Sequence, residues 1–270
     1  MSKVRLDLLL VEYGLVESRN QAQKLIMAGQ VRVNDQIELK PSTKFLPDAA
    51  LAVDQGPQYV SRGGDKLAAA LDSFQFDVKG SVCADVGAST GGFTDCLLQH
   101  GAARVYAIDV AKGILHWKIR QDPRVVVMEK QNARYLKRLP EIVRVITVDA
   151  SFISLQILLP VFKGWFQTDN PSISPEIREN ECNSIIALIK PQFEAGREEA
   201  SRGRGVIRDP DIHHQVLSDV LNFSLELGYG VKGLIRSPLR GPKGNIEFLA
   251  RLEYPGQSKS NINDLIAALL

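Results

Sequence analysis

The sequence predicts an α/β protein in which a small α+β module precedes a seven-stranded parallel sheet. From about residue 81 onward, short apolar segments alternate with helical patterns, as in βαβ units that bury a parallel sheet between helices. The first of these segments runs into a glycine-rich turn. The residues before about position 81 do not show this alternation of strands and helices. A length of 270 residues is sufficient for two structural units.

The composition is that of a soluble globular protein. Hydrophobic residues make up 44% of the chain and charged residues 24%, and the net charge of +2 allows a polyanionic partner without requiring one. The 3 cysteines are too scattered for a disulfide framework or a cysteine zinc site, which predicts a reducing, cytoplasmic location. No signal peptide and no membrane-spanning segment is predicted, because the apolar runs are short or interrupted.

The amino-terminal module is predicted to form two helices and a hairpin. Apolar side chains in residues 4–13 repeat at helical spacing, and Ser18 opens a capping box for a second helix that Gly29 ends. Residues 31–33 then alternate as a strand does. Residues 37–39 can return as its hairpin partner.

This module resembles the S-four domain, a small RNA-binding fold of ribosomal proteins and RNA-modifying enzymes. The resemblance is carried by Arg5-Leu6-Asp7, Ser18-Arg19, Ala22, Gly29 and Val31-Arg32-Val33-Asn34. It implies RNA binding through a phosphate-contacting face, although a merely solvated helix surface is the alternative, because acids and bases are equally numerous here. The candidate RNA-binding residues are Arg5, Arg19, Gln23, Lys24, Arg32 and Asn34.

Seven apolar segments are predicted as the strands of the sheet. They cover residues 82–86, 104–108, 124–128, 143–148, 185–189, 230–235 and 246–252. A helix is predicted near residues 211–227, because apolar residues there have helical spacing between Asp209-Pro210 and Gly228. The polar stretch 167–183 is interpreted as a surface loop or insertion.

The end of the first predicted strand is typical of a nucleotide site. There the chain enters a turn of small residues and then a helix, so that backbone amides can approach a ligand closely. A dinucleotide site or a merely tight turn would also explain this turn. Asp109 ends the next strand about 20 residues later, the spacing at which such sites hold ribose hydroxyls, which favours an adenosine-type cofactor.

The remaining part of this site is predicted from strand ends. Asn132 lies where adenine is expected, although capping of a surface turn explains it equally well. Asp149 and Lys190 each end a later strand, and ligands of open parallel sheets bind beyond such ends. The cofactor-binding candidates are Asp85, Gly87, Ala88, Ser89, Thr90, Gly91, Gly92, Phe93, Asp109, Asn132 and Asp149.

Five ordered motifs lie between residues 59 and 254. They are Tyr59-Val60-Ser61-Arg62-Gly63-Gly64-Asp65-Lys66-Leu67, the turn from Asp85 to Thr94, Asp149-Ala150-Ser151-Phe152-Ile153-Ser154-Leu155, Lys190-Pro191-Gln192-Phe193, and Gly241-Pro242-Lys243-Gly244-Asn245-Ile246-Glu247-Phe248. This stretch resembles the TlyA-type, haemolysin A-like branch of the FtsJ ribose-methyltransferase superfamily. The resemblance implies a Rossmann-like methyltransferase domain over residues 59–256, after an S-four domain over 1–58 and before a tail over 257–270.

The resemblance also implies a reaction. The Lys-Asp-Lys-Glu tetrad of the superfamily matches Lys66, Asp149, Lys190 and Glu247, which implies 2′-O-methylation of ribose with S-adenosylmethionine. Ribosomal RNA or a ribosomal subunit is the expected partner, commonly at cytidine. Two neighbouring lysines would repel each other, so that one amine, for which Lys190 is the candidate, could accept the hydroxyl proton. Asp149 would hold that amine, while Lys66 and Glu247 fix the ribose.

Further expectations concern the RNA, metals and assembly. The basic residues that would suit RNA phosphates are Arg62, Arg202, Arg204 and Arg208. No metal is expected, because the cofactor already carries a cationic leaving group, and His213 and His214 are interpreted as surface residues. The oligomeric state is not indicated.

Three other functions are weighed against this one. The first is a catalytically silent RNA-binding or ribosome-assembly factor, which the intact tetrad argues against. The second is a membrane-active haemolysin, which the short apolar segments argue against. The third is a small-molecule methyltransferase, which the amino-terminal module makes less favourable.

Overall fold

The computed structural model describes residues 2–54, 56–166, 183–196, 199, 203–258 and 261–270. The chain divides into two compact units, Met1–Gln58 and Tyr59–Leu270. Most of the polar stretch predicted as a loop at 167–183, and the RNA-binding candidate Arg202, lie outside the described residues.

The amino-terminal unit contains five short strands and two helices. The strands are β1 (Val4–Arg5), β2 (Val31–Val33), β3 (Gln36–Ile37), β4 (Lys44–Phe45) and β5 (Leu51–Val53), and the helices are Leu6–Glu12 and Arg19–Met27. β1 pairs with β4, and β2 lies between β3 and β5, all antiparallel. The first helix therefore begins later than predicted, because Val4 and Arg5 pair with β4 instead of joining the helix.

The predicted start and end of the second helix are present. The Ser18 hydroxyl accepts a hydrogen bond from the Gln21 amide at 3.3 Å, and the Gln21 side chain accepts one from the Glu17 amide at 3.0 Å. Gly29 follows the helix with a φ of +73°, a conformation that glycine adopts without strain. Apolar side chains of both helices and β2 form the core of this unit.

The larger unit is built on a seven-stranded sheet. Its strands are β6 (Val82–Val86), β7 (Arg104–Asp109), β8 (Val125–Glu129), β9 (Val145–Val148), β10 (Asn183–Ile189), β11 (Gly230–Arg236) and β12 (Phe248–Tyr254). The strand order is β11-β12-β10-β9-β6-β7-β8. All seven predicted strands are present, and no boundary is shifted by more than two residues.

One strand departs from the predicted parallel arrangement. β12 runs antiparallel to both β10 and β11, whereas the other neighbouring strands are parallel. The reason is the short link between β11 and β12. Neighbouring parallel strands need a crossover of a dozen or more residues, usually a helix, and this link contains none.

Helices cover both faces of the sheet. They are Gly63–Ser73, Gly92–Gln99, Trp117–Arg120, Leu155–Phe162, Pro191–Glu194, Pro210–Glu226 and Ile262–Ala267, with 3₁₀ turns at Ala133–Tyr135 and Lys163–Phe166. Alternate residues of the central strands belong to two different apolar clusters, as the two-residue period of a strand requires when both faces are buried. The carboxyl-terminal segment docks as a helix, because Ile262 and Ile266 join one of these clusters.

One histidine of the helix Pro210–Glu226 lies in the interior of the larger unit. The prediction that both histidines are surface residues is wrong for His213, which is buried and lies 3.2 Å from the Ile207 carbonyl oxygen, because it faces the sheet from the helix Pro210–Glu226. Burial lowers the pKa of its imidazole.

Within the described part of the chain, no helix is long and apolar enough to cross a membrane.

Candidate active site

The carboxyl ends of β6, β9 and β10 meet where the strand order reverses. The chain continues from β6 to β7 on one side and returns to β9 on the other, which leaves a crevice of the kind that binds ligands in open α/β sheets. A cavity of 690 Å³ lies there. Its lining includes all four residues of the predicted tetrad: Lys66, Asp149, Lys190 and Glu247.

The first pair in this cavity is Lys190 and Asp149. Lys190 follows β10 and Asp149 follows β9, so the parallel pairing of these strands brings the two side chains to the same edge. The Lys190 ammonium lies 2.5 Å from Oδ1 of Asp149, and it donates a hydrogen bond to the Ser151 hydroxyl at 3.0 Å. Only 10% of the Lys190 side chain is exposed, so this charge is held by its partners and shielded from most of the solvent.

The second pair is Lys66 and Glu247. Lys66 lies on the helix Gly63–Ser73 and Glu247 precedes β12, and their charged atoms are 2.6 Å apart. The Gln192 amide nitrogen lies 3.4 Å from the other Glu247 oxygen. Each lysine is therefore matched with its own carboxylate, so mutual repulsion between the two lysines is not what organises this site.

The turn after β6 is shaped by glycine. Gly87 has a φ of +82°, and a side chain there would place its Cβ 2.6 Å from the Asp149 carbonyl oxygen. Gly91 has a φ of +97°, and a Cβ there would meet Leu115 at 2.9 Å. Gly87 thus allows the turn to approach the Asp149 backbone. Gly91 allows the helix Gly92–Gln99 to begin close to Leu115.

Two cofactor candidates line neither this cavity nor its neighbour. Gly91 is one, and Asp85 is the other. Asp85 is fully buried and accepts hydrogen bonds from the Thr94 hydroxyl at 2.6 Å and the Thr147 hydroxyl at 3.0 Å. Burial raises the pKa of its carboxyl to about 7. The structure therefore places Asp85 beneath the turn, where it joins β6 to β9 and to the following helix.

A second cavity of 300 Å³ adjoins the first, since both are lined by Gly87, Ser89, Asp149, Ser151 and Phe152. Asp109 and Asn132 line the second cavity, as predicted. The Asp109 oxygens accept hydrogen bonds from the Ser89 and Ala111 amides, both at 2.8 Å. The Asn132 side chain also caps a 3₁₀ turn, so both of its proposed roles are compatible with its position.

The second cavity suits an adenosine. Its apolar lining residues are Val86, Ile108, Val110, Ile114, Ala133, Ala150, Phe152, Ile153 and Leu158. Each carboxylate oxygen of Asp109 has a second lone pair, which can accept from a ribose hydroxyl. The shared wall at Gly87 and Asp149 lets a ligand extend from this cavity toward the two lysine–carboxylate pairs. These residues fit S-adenosylmethionine, which joins adenosine to a methionine chain.

Phe152 is a site residue to which the sequence analysis assigned no role, although it belongs to one of the five motifs. It has a φ of +64°, which is strained for a residue with a side chain, and 89% of its surface is exposed. Its ring lies 4.9 Å from the ring of Phe193, and both line the larger cavity. The signal in the sequence is a large aromatic residue three positions after the strand-ending Asp149.

Glu194 is a second residue without a predicted role. Its carboxylate accepts hydrogen bonds from the Ser154 hydroxyl at 2.6 Å and from the Leu155 amide at 2.9 Å. Burial raises the pKa of this carboxyl. Glu194 thus ties the segment after Lys190 to the end of the loop that contains Asp149 and Phe152.

The RNA-binding candidates of the amino-terminal unit surround a buried carboxylate. Asp7 is fully buried and accepts hydrogen bonds from Arg5, Arg19 and Gln23, each within 2.9–3.0 Å. The Arg5 guanidinium, followed by Gln23 and Arg19, holds the pKa of this carboxyl well below its usual range. These three side chains therefore also stabilise the unit.

The other candidates of this unit are spread over its surface. Arg32 donates to the Asp35 carbonyl oxygen at 3.3 Å, and Asn34 accepts from the Ala50 amide at 3.0 Å. Lys24 lies in the last turn of the helix Arg19–Met27. Their placement is compatible with an RNA-contacting surface.

The basic candidates of the larger unit differ in position. Arg62 lines the 690 Å³ cavity, whereas Arg204 and Arg208 are exposed and do not line it. Two cations to which the sequence analysis assigned no role, Arg240 and Lys243, do line it.

Comparison with known proteins gives the family context of these cavities. A family model described as FtsJ-like methyltransferase matches residues 59–254, and one described as S4 domain matches residues 4–50. Both resemblances noted in the sequence are thereby confirmed. The larger match includes the tetrad and every residue that lines the two cavities.

Individual relatives are similar over nearly the whole chain. YqxC of Bacillus subtilis, whose name assigns it provisionally as an rRNA methyltransferase, is 47% identical over 95% of this chain and 88% of its own. TlyA of Mycobacterium tuberculosis, named a 16S/23S rRNA (cytidine-2′-O)-methyltransferase, is 42% identical over 91% of this chain and 88% of its own. A crystallised Lactococcus lactis protein with a hemolysin name is 41% identical, with a TM-score of 0.69 over 79% of this chain and 99% of that chain.

Proposed function

The chain belongs to the FtsJ-like methyltransferase family, and from this premise we propose that it methylates a ribose 2′-hydroxyl of ribosomal RNA, at cytidine. It is an enzyme that uses S-adenosylmethionine. The observation that carries the proposal is the single cavity in which the Lys190–Asp149 and Lys66–Glu247 pairs lie beside a cavity suited to adenosine. The substrate follows from the named TlyA relative.

The two lysine–carboxylate pairs have different proposed roles. S-adenosylmethionine supplies a methyl group on a cationic sulfur, which makes the transfer itself favourable once a nucleophile is aligned. Lys190 acts from its neutral form: once its ammonium has released a proton to solvent, the amine accepts the proton of the 2′-hydroxyl as the new bond forms, and Asp149 holds the side chain in position. Lys66 and Glu247, the second pair in the cavity, orient the ribose.

The chain also offers a surface for a base removed from its stack. A ribose hydroxyl in structured RNA becomes accessible when its nucleotide is splayed out, and an unstacked base gains stability on an aromatic side chain. The exposed ring of Phe152, in contact with Phe193, provides that side chain in the same cavity.

The amino-terminal unit supplies affinity for the RNA. Its match to the S4 domain supports this, as does the ring of basic and amide side chains around Asp7. The unit has its own core, so this role is separable from the chemistry of residues 59–256. We also propose a cytoplasmic location, because the proposed substrate is ribosomal RNA.

The decisive test is a map of ribose methylation on ribosomal RNA. We expect RNA from cells that lack the protein to lose 2′-O-methylcytidine at defined positions, and wild-type protein with S-adenosylmethionine to restore it in vitro. Lys190→Ala is the matched variant, since it should bind RNA without restoring the mark. Unchanged methylation in the deletion strain, together with no transfer in vitro to either ribosomal subunit, would refute the proposal.

The division of labour has its own test. A fragment of residues 59–270 should bind S-adenosylmethionine with native affinity but show a much higher KM for ribosomal RNA. Cofactor affinity measured by calorimetry reports whether the fragment is folded. Methylation by the folded fragment at the rate and KM of the full chain would contradict a role of the amino-terminal unit in substrate affinity.

A further inference from the structure

The larger cavity has more positive charge than the cofactor can use. Five basic and two acidic side chains line it. Both carboxylates are already matched, Asp149 with Lys190 and Glu247 with Lys66. The cations that remain are Arg62, Arg240 and Lys243. S-adenosylmethionine has a single carboxylate and a net positive charge near neutral pH, so the cofactor by itself does not neutralise all of these cations.

The surplus charge points to an anion that enters with the substrate. In RNA, the 2′-hydroxyl is separated from the 3′-phosphate by only a few covalent bonds. A target ribose placed at Lys190 therefore brings a phosphate into the same cavity. Arginine and lysine are the side chains that neutralise RNA phosphates.

The short loop before Glu247 holds Lys243 in a fixed turn, with Arg240 immediately before that turn. The Gly244 amide donates to the Gly241 carbonyl oxygen at 2.8 Å, which makes Pro242 and Lys243 the central residues of a turn. Proline at the first central position restricts this turn before any ligand arrives. Arg240 directly precedes the turn, and both cations are exposed.

The buried side-chain amide of Asn245 fixes the same loop to the segment that contains Gly205 and Ile207. The Asn245 side chain donates to the Gly205 carbonyl oxygen at 2.8 Å and accepts from the Ile207 amide at 2.9 Å. A Cβ on Gly241 would lie 2.5 Å from the Glu247 carboxylate, so the loop packs closely against the partner of Lys66. The position of the two cations is thus tied to the position of a tetrad residue.

We infer that Arg240 and Lys243 form a phosphate-binding clamp for the backbone of the target nucleotide. This inference rests on the proposed function and adds a recognition element to the same site. The clamp acts on substrate binding and takes no part in proton transfer. Because the turn is formed in advance, little ordering of the loop opposes binding.

The test compares Arg240→Gln, Lys243→Gln and the double variant with Lys79→Gln. Lys79 is an exposed lysine just before the amino-terminal end of β6, whereas the cavity lies at the carboxyl ends of the strands. This control therefore removes the same charge away from the cavity. The substrate is the ribosomal subunit that wild-type protein methylates. We expect KM for the subunit to rise about tenfold in each single variant and about a hundredfold in the double variant.

Two further measurements separate a phosphate contact from a structural effect. The plot of log affinity against log salt should become less steep by about one unit for each lost contact. kcat at saturating subunit and the calorimetric affinity for S-adenosylmethionine should remain native. Lys79→Gln should change none of these quantities.

Specific outcomes would overturn the inference. If the double variant keeps the KM and salt dependence of the wild type, the cations do not bind phosphate. If it instead loses affinity for S-adenosylmethionine, they serve the cofactor. Failure of wild-type protein to methylate any ribosomal subunit would refute the proposed function itself, which is a different result from a change confined to the variants.

Discussion

The ammonium nitrogen of Lys190 lies 2.5 Å from Oδ1 of Asp149, although the two residues are 41 positions apart in the sequence. The contact exists because β9 and β10 are parallel neighbours that end at the same edge of the sheet. It gives Lys190 a fixed position beside the ribose that we propose as substrate. Its consequences can be tested by substitution.

Lys190→Ala should abolish methyl transfer without loss of cofactor binding. Removal of a positioned proton acceptor typically lowers a rate by about a hundred- to ten-thousandfold. Lys190→Arg should not restore activity, because a guanidinium stays protonated and cannot act as a base. Single-turnover methylation at saturating cofactor and RNA measures the effect, with cofactor affinity as the parallel control. Near-native turnover by the arginine variant would exclude Lys190 as the base.

Asp109→Ala should weaken S-adenosylmethionine binding by about ten- to a hundredfold. The substitution removes the acceptors proposed for the ribose hydroxyls and also leaves the Ser89 and Ala111 amides without their carboxylate partner. Calorimetry measures the affinity. Asp72→Ala, at an exposed position of the helix Gly63–Ser73, is the control and should bind normally. Native affinity in the Asp109 variant would remove this residue from the cofactor site.

Glu194→Ala should lower kcat more than it raises KM, whereas Glu194→Gln should remain close to wild type. Alanine leaves the Ser154 hydroxyl and Leu155 amide without their acceptor, which frees the loop that carries Asp149 and Phe152. Glutamine keeps an acceptor and avoids the cost of a buried charge, consistent with the raised pKa of this carboxyl. Steady-state kinetics on both variants provides the comparison. Equal losses in both would show that charge, rather than loop anchoring, is what matters.

Asp7→Asn should destabilise the amino-terminal unit by about 1–3 kcal/mol at neutral pH. The pKa of Asp7 is lower in the folded protein, so its contribution is complete above its ordinary pKa and is lost as pH falls toward the folded value. The difference between variant and wild type should therefore shrink below about pH 5. Hydrogen exchange of amides in the helix Arg19–Met27 reports this unit selectively, and Asp48→Asn, at an exposed position, is the control. A variant difference that is independent of pH would contradict this account.

The sequence by itself determined the parts of this protein that depend on local pattern. Apolar periodicity located all seven strands, because a strand buried on both faces is a short apolar run. The five motifs identified the family and located Lys66, Asp149, Lys190 and Glu247. Strand-ending residues were recognisable as site candidates because the ends of parallel strands share one edge.

The tertiary structure alone decided which of these residues act on each other. The pairing of Lys66 with Glu247 joins residues 181 positions apart, and no local pattern encodes a contact over that separation. Asp85 stands in the same motif as the cofactor turn, yet its side chain is buried against the Thr94 and Thr147 hydroxyls, because it lies within β6 before the turn begins. Arg240 and Lys243 reach the cavity only because their loop folds back on Glu247. Charge partners of this kind are set by distances in space, and sequence spacing carries no record of them.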